Sequence, residues 1–199
     1  MRVCILGAGG MLGHMLVRVL SDDHDVYGTS KQEWSETAGL ARFLEKKQWI
    51  GGIDAKDIKT VNDCFAEHQF DVAINCIGVV KQRVHRTTDD EMIEINARFP
   101  HKLLDICAAF GTRLIHISTD CVFSGNKGDY VETDKPDPVD IYGSSKLKHK
   151  ALCNKLRTPE GYQNKQGRLV FHPTFLFHKN FYLSSRIKKI PSELGILMF

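Results

Sequence analysis

Short apolar runs alternate along this chain with segments whose apolar residues recur every three or four positions. The first run covers Val3–Leu6 and breaks at once into glycines, after which Met11 to Leu20 follow the helical period. Two later runs, within 71–78 and 113–118, are apolar at consecutive positions. Such strands are typical of a parallel sheet that helices cover on both faces. The pattern therefore predicts an α/β fold with a doubly wound parallel sheet.

Turn and capping residues set the bounds of the other predicted elements. Asp57 is a suitable N-terminal residue for one helix, and Gly111 suits the end of a long one. Pro100 lies inside that long helix and should kink or split it. Residues 32–49 are polar and irregular and predict a loop, or a loop with one helical turn. The remaining elements, in chain order, are a strand at 25–28, a strand closed by 51–54, a helix at 57–68, a strand at 71–78, a helix at 88–110, a strand at 113–118 and a helix that opens at 141.

The break after the first strand holds three glycines, Gly7, Gly10 and Gly13, at intervals of three. A tight turn and a close backbone approach both favour glycine, which has no Cβ. Met11 and Leu12 open the next helix, whose free N–H groups and positive dipole end suit an anionic pyrophosphate. Leu12 stands where the G-x-G-x-x-G dinucleotide motif has its third glycine, so this chain fits G-x-x-G-x-x-G instead. The turn predicts a dinucleotide site, and a strand–helix turn that binds nothing is the alternative.

The end of the second predicted strand bears on the choice of cofactor. A site that prefers NAD usually places an acidic residue there, which accepts a hydrogen bond from the ribose 2′-hydroxyl. This chain has Thr29, Ser30 and Lys31 instead, two hydroxyls and a cation. We therefore expect NADP or NAD as the cofactor, with NADP favoured. The carboxyl end of the fourth strand, where open α/β sheets bind ligands, adds three candidate cofactor contacts: Asn75, Cys76 and Gly78.

Tyr142 and Lys146 form the candidate catalytic pair. They are four residues apart and so share one face of the predicted helix. Because an ammonium beside a phenol favours the phenolate, we expect Lys146 to lower the pKa of Tyr142 from its usual ~10. A tyrosine tuned in this way acts as general acid or base on a carbonyl or alcohol oxygen. The hydroxyls of Ser118 and Thr119, at the carboxyl end of the fifth strand, are candidates to hold that oxygen.

Four motifs in this order, GAGGMLG, NCIG, STDCVFSG and YGSSK, resemble those of the extended short-chain dehydrogenases/reductases. Within that family the chain is similar to the dTDP-4-dehydrorhamnose reductase branch (RmlD-like, sugar-nucleotide-binding), for which STDCVFSG is the most specific motif. The resemblance covers roughly residues 1–150. It implies a Rossmann-type domain that binds NAD(P)H.

The resemblance also implies roles for single residues. Tyr142 would be the acid, Lys146 its pKa partner and a ribose ligand, and Thr119 the partner of the substrate oxygen. Asp54 resembles the acidic residue at the end of the third strand that meets the adenine. Asn96 matches a helix asparagine that supports the lysine through water, and a polar residue that serves helix packing alone is the alternative.

The implied reaction is NAD(P)H-dependent reduction of a 4-keto sugar nucleotide, in deoxysugar or surface-polysaccharide biosynthesis. Two alternatives stay open: a non-catalytic dinucleotide-binding regulatory subunit, and a sugar-nucleotide epimerase or dehydratase of the same superfamily. The complete set of Tyr142, Lys146 and Thr119 argues against the regulatory role. The lack of a recognisable substrate domain argues for it.

Charge divides the chain after residue 146. Residues 1–146 carry 17 basic and 22 acidic side chains, whereas residues 147–199 carry 10 basic and 2 acidic ones. The resemblance ends near the same point. We therefore expect a dinucleotide-binding domain over 1–150, and over 151–199 an irregular basic tail or a remnant of the substrate domain, in a chain truncated or altered there. Nucleic-acid binding by that tail has net charge alone in its support.

Composition narrows the expected partners and compartment. The six cysteines form no C-x-x-C pair, as is typical of cytosolic thiols. No apolar run approaches the ~18 residues that a membrane span needs. We expect a cytoplasmic protein with a nucleotide-sugar substrate and no nucleic acid, membrane or metal ion as a partner. A homodimer is left open.

Overall fold

The computed structural model describes residues 1–34, 43–131 and 134–148. Within these ranges, five parallel strands form one sheet in the order β3-β2-β1-β4-β5. The chain starts in the middle strand and winds outward to both edges, which is the strand order of the Rossmann fold. The predicted doubly wound α/β sheet is confirmed. The strands are β1 (Arg2–Leu6), β2 (Asp25–Thr29), β3 (Trp49–Ile50), β4 (Val72–Asn75) and β5 (Arg113–His116).

Helices cover both faces of this sheet. They are α1 (Met11–Leu20), α2 (Ile58–His68), α3 (Asp89–Ile93), α4 (Phe99–Ala109) and α5 (Ile141–Lys148). A π-helical turn, Glu94–Arg98, joins α3 to α4. Short 3₁₀ segments lie at Lys46–Gln48, Lys81–Arg86 and Asp120–Val122. In the part of the chain described here, no helix has the length and hydropathy of a membrane span.

The alternation of side chains along β1 explains why the first apolar run is continuous. Val3 and Ile5 pack in the core cluster on the α1 side, while Cys4 and Leu6 pack in the cluster on the side of α2 and α4. All four side chains are fully buried. Burial of one such aliphatic side chain stabilises the fold by about 1.5–3 kcal/mol. The parallel arrangement then brings the carboxyl ends of β1, β2, β4 and β5 to one edge.

The third strand ends earlier than the sequence predicts. It stops at Ile50, and the expected closing residues 51–54 form a connection in which Gly52 has a φ of +70°. The backbone of Ser30 joins both sides of this break, because its N–H donates to Ile50 O at 3.1 Å and its carbonyl accepts from Ile53 N at 2.9 Å. Asp54 therefore lies beyond the strand, beside the end of β2.

The long helix expected at 88–110 is split, as Pro100 predicts. Pro100 lies in the first turn of α4. It has no N–H to donate to the carbonyl of Asn96, and its ring would clash with that carbonyl in a regular helix. The preceding turn is widened instead, and the N–H of Phe99 donates to Glu94 O, five residues back. The widened turn is the segment that carries Asn96.

Several predictions fall on residues that the structure does not describe. The expected tail at 151–199, with Cys153, lies outside the described residues, and so does 35–42 within the predicted loop. The division of the chain near residue 150 stays a prediction. The five described cysteines are free thiols: Cys4, Cys64, Cys76, Cys107 and Cys121.

Candidate active site

The glycine-rich turn lies between β1 and α1 at the carboxyl edge of the sheet. Gly7 has a φ of +81°, a left-handed conformation that side chains with a Cβ rarely adopt. A Cβ on Gly13 would overlap the carbonyl oxygen of Gly7, whereas a Cβ on Gly10 would meet that oxygen at 3.3 Å, a much milder contact. Gly7 and Gly13 therefore build the turn, and Gly10 leaves the space above the helix open.

The start of α1 fits an anionic group. Gly10 is the N-cap residue and makes no side-chain capping hydrogen bond. The first N–H groups of any helix lack partners within the helix and carry its positive dipole end. Met11 is 90% exposed at this end, whereas Leu12 packs against the core. The open space and the backbone donors together suit a pyrophosphate.

The end of β2 lies beside this turn. Ala8 N donates to the carbonyl of Thr29 at 2.9 Å. The Ser30 hydroxyl accepts from Gln32 N at 3.1 Å and lies 3.9 Å from where a Cβ on Gly9 would be. The expected cofactor contacts Thr29 and Ser30 thus share one edge with the glycines.

Lys31 and Asp54 contact each other. Lys31 Nζ lies 2.9 Å from Asp54 Oδ2. Sequence reasoning assigned these two residues to the cofactor separately and did not predict the ion pair, since the pair depends on how the connection after β3 folds back along β2.

Lys146 is a buried lysine, 7% exposed, at the ends of β4 and β5. Its Nζ donates to the carbonyl of Ile117 at 3.4 Å. A Cβ on Gly78 would lie 3.1 Å from that nitrogen, so glycine at this position makes room for the ammonium. Burial lowers the pKa of Lys146 to about 8, an effect that the Cys76 thiol partly opposes. Burial in turn raises the pKa of Cys76 to about 12, which keeps this thiol neutral.

Asn75 shapes the turn that follows β4. Its Oδ1 accepts from Ile77 N at 3.0 Å, and its Nδ2 lies 2.9 Å from Nδ1 of His116. Both side chains are buried. A cofactor contact by Asn75 stays a prediction, because the bonds that the structure shows are internal ones.

Asn96 connects the loop after β4 to α5. It is fully buried in the π-helical turn. Its Oδ1 accepts from Val79 N at 2.8 Å, and its Nδ2 donates to Val79 O at 3.0 Å and to Ser145 Oγ at 3.1 Å. Ser145 Oγ donates in turn to the carbonyl of Tyr142 at 2.7 Å. The expected support of Lys146 through water stays a prediction, and the direct contacts show a tether between two parts of the site.

Tyr142 faces the segment that follows β5. Burial raises the pKa of the phenol above its usual value, and a hydrogen bond with the Thr119 side chain acts in the opposite direction. Three titratable neighbours raise this pKa further: Cys121, Asp120 and Asp140. The predicted lowering by Lys146 is therefore wrong for this chain, since the ammonium is directed to the Ile117 carbonyl. The phenol keeps its proton at neutral pH, which is the state of a proton donor.

The start of α5 is fixed by contacts that sequence reasoning missed. Asp140 Oδ1 accepts from Gly143 N at 2.8 Å, and Asp140 Oδ2 pairs with Lys81 Nζ at 2.8 Å. Gly143 packs so close to the Cys121 carbonyl that a Cβ would overlap it. An acidic residue just before a helix is a recognisable capping signal, so the capping role of Asp140 could have been predicted from the sequence. Nothing in the local sequence marks Ser145 or Lys81.

A cleft of about 660 Å³ is lined mainly by the segment that follows β5, with Lys81 and Asp140. Asp120, Cys121 and Asp140 belong both to its lining and to the surroundings of Tyr142. Thr119 and Ser118 are buried beside them, 4% and 7% exposed. The contact of Ser118 with a substrate oxygen stays a prediction. The cleft, the phenol and the glycine turn lie at one edge of the sheet, where open α/β folds bind ligands.

Several known proteins are similar to this chain over about three quarters of its length. The chain is 30% identical over 154 residues to the dTDP-4-dehydrorhamnose reductase of Mycobacterium tuberculosis, over 73% of this chain and 43% of that protein. It is also 30% identical over 146 residues to methionine adenosyltransferase 2 subunit beta of Mus musculus, over 73% of this chain and 40% of that protein. The dTDP-4-dehydrorhamnose reductase of Bacillus anthracis, solved in complex with NADP, matches 78% of this chain and 49% of its own with a TM-score of 0.63 at 27% identity.

The chain therefore spans less than half the length of each of these proteins. The range matched by the family model, 1–158, includes both the glycine turn and α5. Residues 1–158 match the family model described as the RmlD substrate binding domain. This confirms the resemblance seen in the motifs, and the chain belongs to the RmlD substrate binding domain family.

Proposed function

We propose that this chain binds NAD(P)H and carries the residues with which an RmlD-type reductase reduces its substrate, a 4-keto sugar nucleotide. The observation that carries this proposal is the arrangement at the sheet edge. A protonated phenol (Tyr142) contacts a buried hydroxyl (Thr119), and a buried lysine (Lys146) lies one helical turn further along α5.

The residues present fit the cofactor. Gly10 leaves an open space at the start of α1 for the pyrophosphate, and in this proposal Lys146 binds a ribose. When bound, the nicotinamide supplies a hydride to the keto carbon. The relative from Bacillus anthracis was solved with NADP, which supports this choice of cofactor.

Tyr142 performs the proton transfer in this proposal. Its raised pKa keeps the phenol protonated until the keto oxygen gains negative charge, and the Thr119 hydroxyl orients the same oxygen. After the transfer, the hydrogen bond from the Thr119 side chain stabilises the phenolate that remains. General acid catalysis of this kind is worth about 10²–10⁴-fold in rate.

The test is NADPH oxidation by the purified chain when it is offered a dTDP- or UDP-linked 4-keto-6-deoxysugar. We expect NADPH to be oxidised at a rate that depends on the keto sugar. Enzyme in excess of substrate makes that rate measurable. Tyr142→Phe should lower it by about 10²–10⁴-fold and keep nucleotide binding, since the ring remains and the proton is gone.

Tyr27→Phe is the matched control. The Tyr27 hydroxyl accepts from Arg2 near the opposite edge of the sheet, so its loss should leave the rate unchanged. Nearly full activity in Tyr142→Phe would rule out this tyrosine as the proton donor.

A binding role without catalysis is the second candidate. The similarity to methionine adenosyltransferase 2 subunit beta favours it, because that protein is named as a subunit of a different enzyme. It predicts NADPH binding with no oxidation for any 4-keto sugar nucleotide. The same assay distinguishes a reductase from an epimerase, because epimerisation consumes no net NADPH.

A further inference from the structure

We propose that Asp54 sets the preference of this site between NADPH and NADH by holding Lys31, the cation at the end of β2. The inference rests on the proposed function, because it concerns how the same site binds its cofactor. Its basis is the ion pair between the two side chains, Nζ to Oδ2 at 2.9 Å.

The backbone fixes this pair at the cofactor edge. Ser30 accepts from Ile53 N and donates to Ile50 O, so the connection after β3 runs along the end of β2. Lys31 and Asp54 directly follow these two hydrogen-bonded positions and are thereby brought side by side. Ser30 also lies next to Gly9 of the glycine turn. The pair is thus part of the edge that meets the ribose of a bound dinucleotide in this fold.

Asp54 is the anchored partner. Its Oδ1 accepts from Lys56 N at 2.9 Å, and its own N–H donates to Thr60 Oγ1 at 3.0 Å. Partial burial raises the pKa of Asp54, but the hydrogen bonds from Lys31 and Lys56 N outweigh it, so the pKa is lowered and the carboxylate is charged at neutral pH. Lys31 has a long side chain that is 60% exposed, so the carboxylate decides where the ammonium rests.

The two cofactors differ at this position. NADPH carries a 2′-phosphate on the adenosine ribose, where NADH carries a hydroxyl. An ammonium that pairs with the phosphate must first leave Asp54, whereas NADH binds without breaking this ion pair. Asp54 therefore lowers the affinity for NADPH relative to NADH, and Lys31 raises it.

The experiment is calorimetric titration of the full chain with NADPH and NADH. Asp54→Asn keeps the acceptor for Lys56 N and removes the charge, so it should raise the NADPH/NADH affinity ratio by about two- to fivefold, the range of an exposed ion pair. Lys31→Met should lower the ratio by about tenfold with little change for NADH. In the Lys31→Met background, Asp54→Asn should change the ratio by less than about twofold, since interacting residues are not additive.

Asp63→Asn is the control, because it breaks another exposed aspartate–lysine pair, Asp63 with Lys59 on α2, and should leave the ratio unchanged. The fragments 2′,5′-ADP and 5′-AMP should reproduce the same changes without any contribution from Lys146.

An unchanged ratio in Asp54→Asn would overturn the inference. An equal rise with and without Lys31 would also overturn it, since Asp54 would then act by direct repulsion. Binding of neither nucleotide by the unmodified chain contradicts the proposed function itself.

Discussion

Lys146 is buried, unlike most lysines. Burial of its charge lowers the free energy of unfolding by an amount that depends on pH. Its folded pKa of about 8 lies below the ~10.4 of an unfolded chain. Below pH ~8 both states hold the proton, and the folded state bears the full cost of burying the ammonium, about 3 kcal/mol for this shift. As the pH rises toward ~10.4, the folded state has lost its proton and the cost disappears.

Lys146→Met should therefore raise the free energy of unfolding at about pH 7 by up to about 3 kcal/mol, and have little effect at about pH 10. Urea unfolding of both proteins at the two pH values measures this. Lys148→Met, at an exposed position of the same helix, is the control and should show no such pH dependence. A Lys146→Met variant with the same change in stability at both pH values would contradict the burial of a charged group here.

The spacing of Tyr142 and Lys146 predicted that both lie on one helix, but it gave the wrong sign for the pKa of Tyr142. Spacing along a helix predicts which side chains share a face, and it does not predict what faces them. Asp120 and Cys121 reach the phenol from the segment after β5, more than twenty residues earlier in the chain. The ammonium has a carbonyl partner of its own, which no sequence pattern indicates.

At the scale of elements, the three glycines of the turn have two different roles. Gly7 and Gly13 allow β1 and α1 to approach, whereas Gly10 keeps the helix end open. The spacing of the glycines predicted the turn and the helix that follows it. It could not predict their different roles, because these depend on which atoms surround each glycine in the folded chain.

Gly13→Ala should destabilise the fold by about 1–3 kcal/mol, because the added Cβ overlaps the Gly7 carbonyl, which is backbone and has little freedom to shift. Denaturant unfolding measures the loss. Gly9→Ala is the matched control, since its Cβ would lie 3.9 Å from the nearest side-chain atom. Equal stability of the two variants would show that α1 does not pack on β1 as described.

The tether of α5 is a second element-scale feature. Pro100 widens the turn before α4, and Asn96 in that turn reaches Ser145. Ser145→Ala should cost about 1–3 kcal/mol of stability, because a buried donor and acceptor lose a partner. Ser144→Ala, one residue away and partly exposed, is the control. A loss in Ser145→Ala no larger than in the control would contradict the tether.

At the scale of the whole molecule, the period of the apolar residues was enough to predict the sheet and the order of its elements. The bounds were less predictable where tertiary contacts decide them. The third strand ends at Ile50 because the backbone of Ser30 bridges the next residues, and Asp54 consequently meets Lys31. That ion pair, the Asn96–Ser145 contact and the neighbours of Tyr142 all join residues far apart in sequence.

The central claim is that the glycine turn holds the pyrophosphate of a nicotinamide dinucleotide. Calorimetric titration of the 199-residue chain with NADPH and NADH, alongside Gly10→Leu, tests it most directly. We predict that the unmodified chain binds NADPH at least as well as NADH. We also predict that Gly10→Leu still unfolds cooperatively but binds neither, because its side chain occupies the open space at the helix end. Unimpaired binding by a folded Gly10→Leu variant, or no binding by the unmodified chain, would contradict the account.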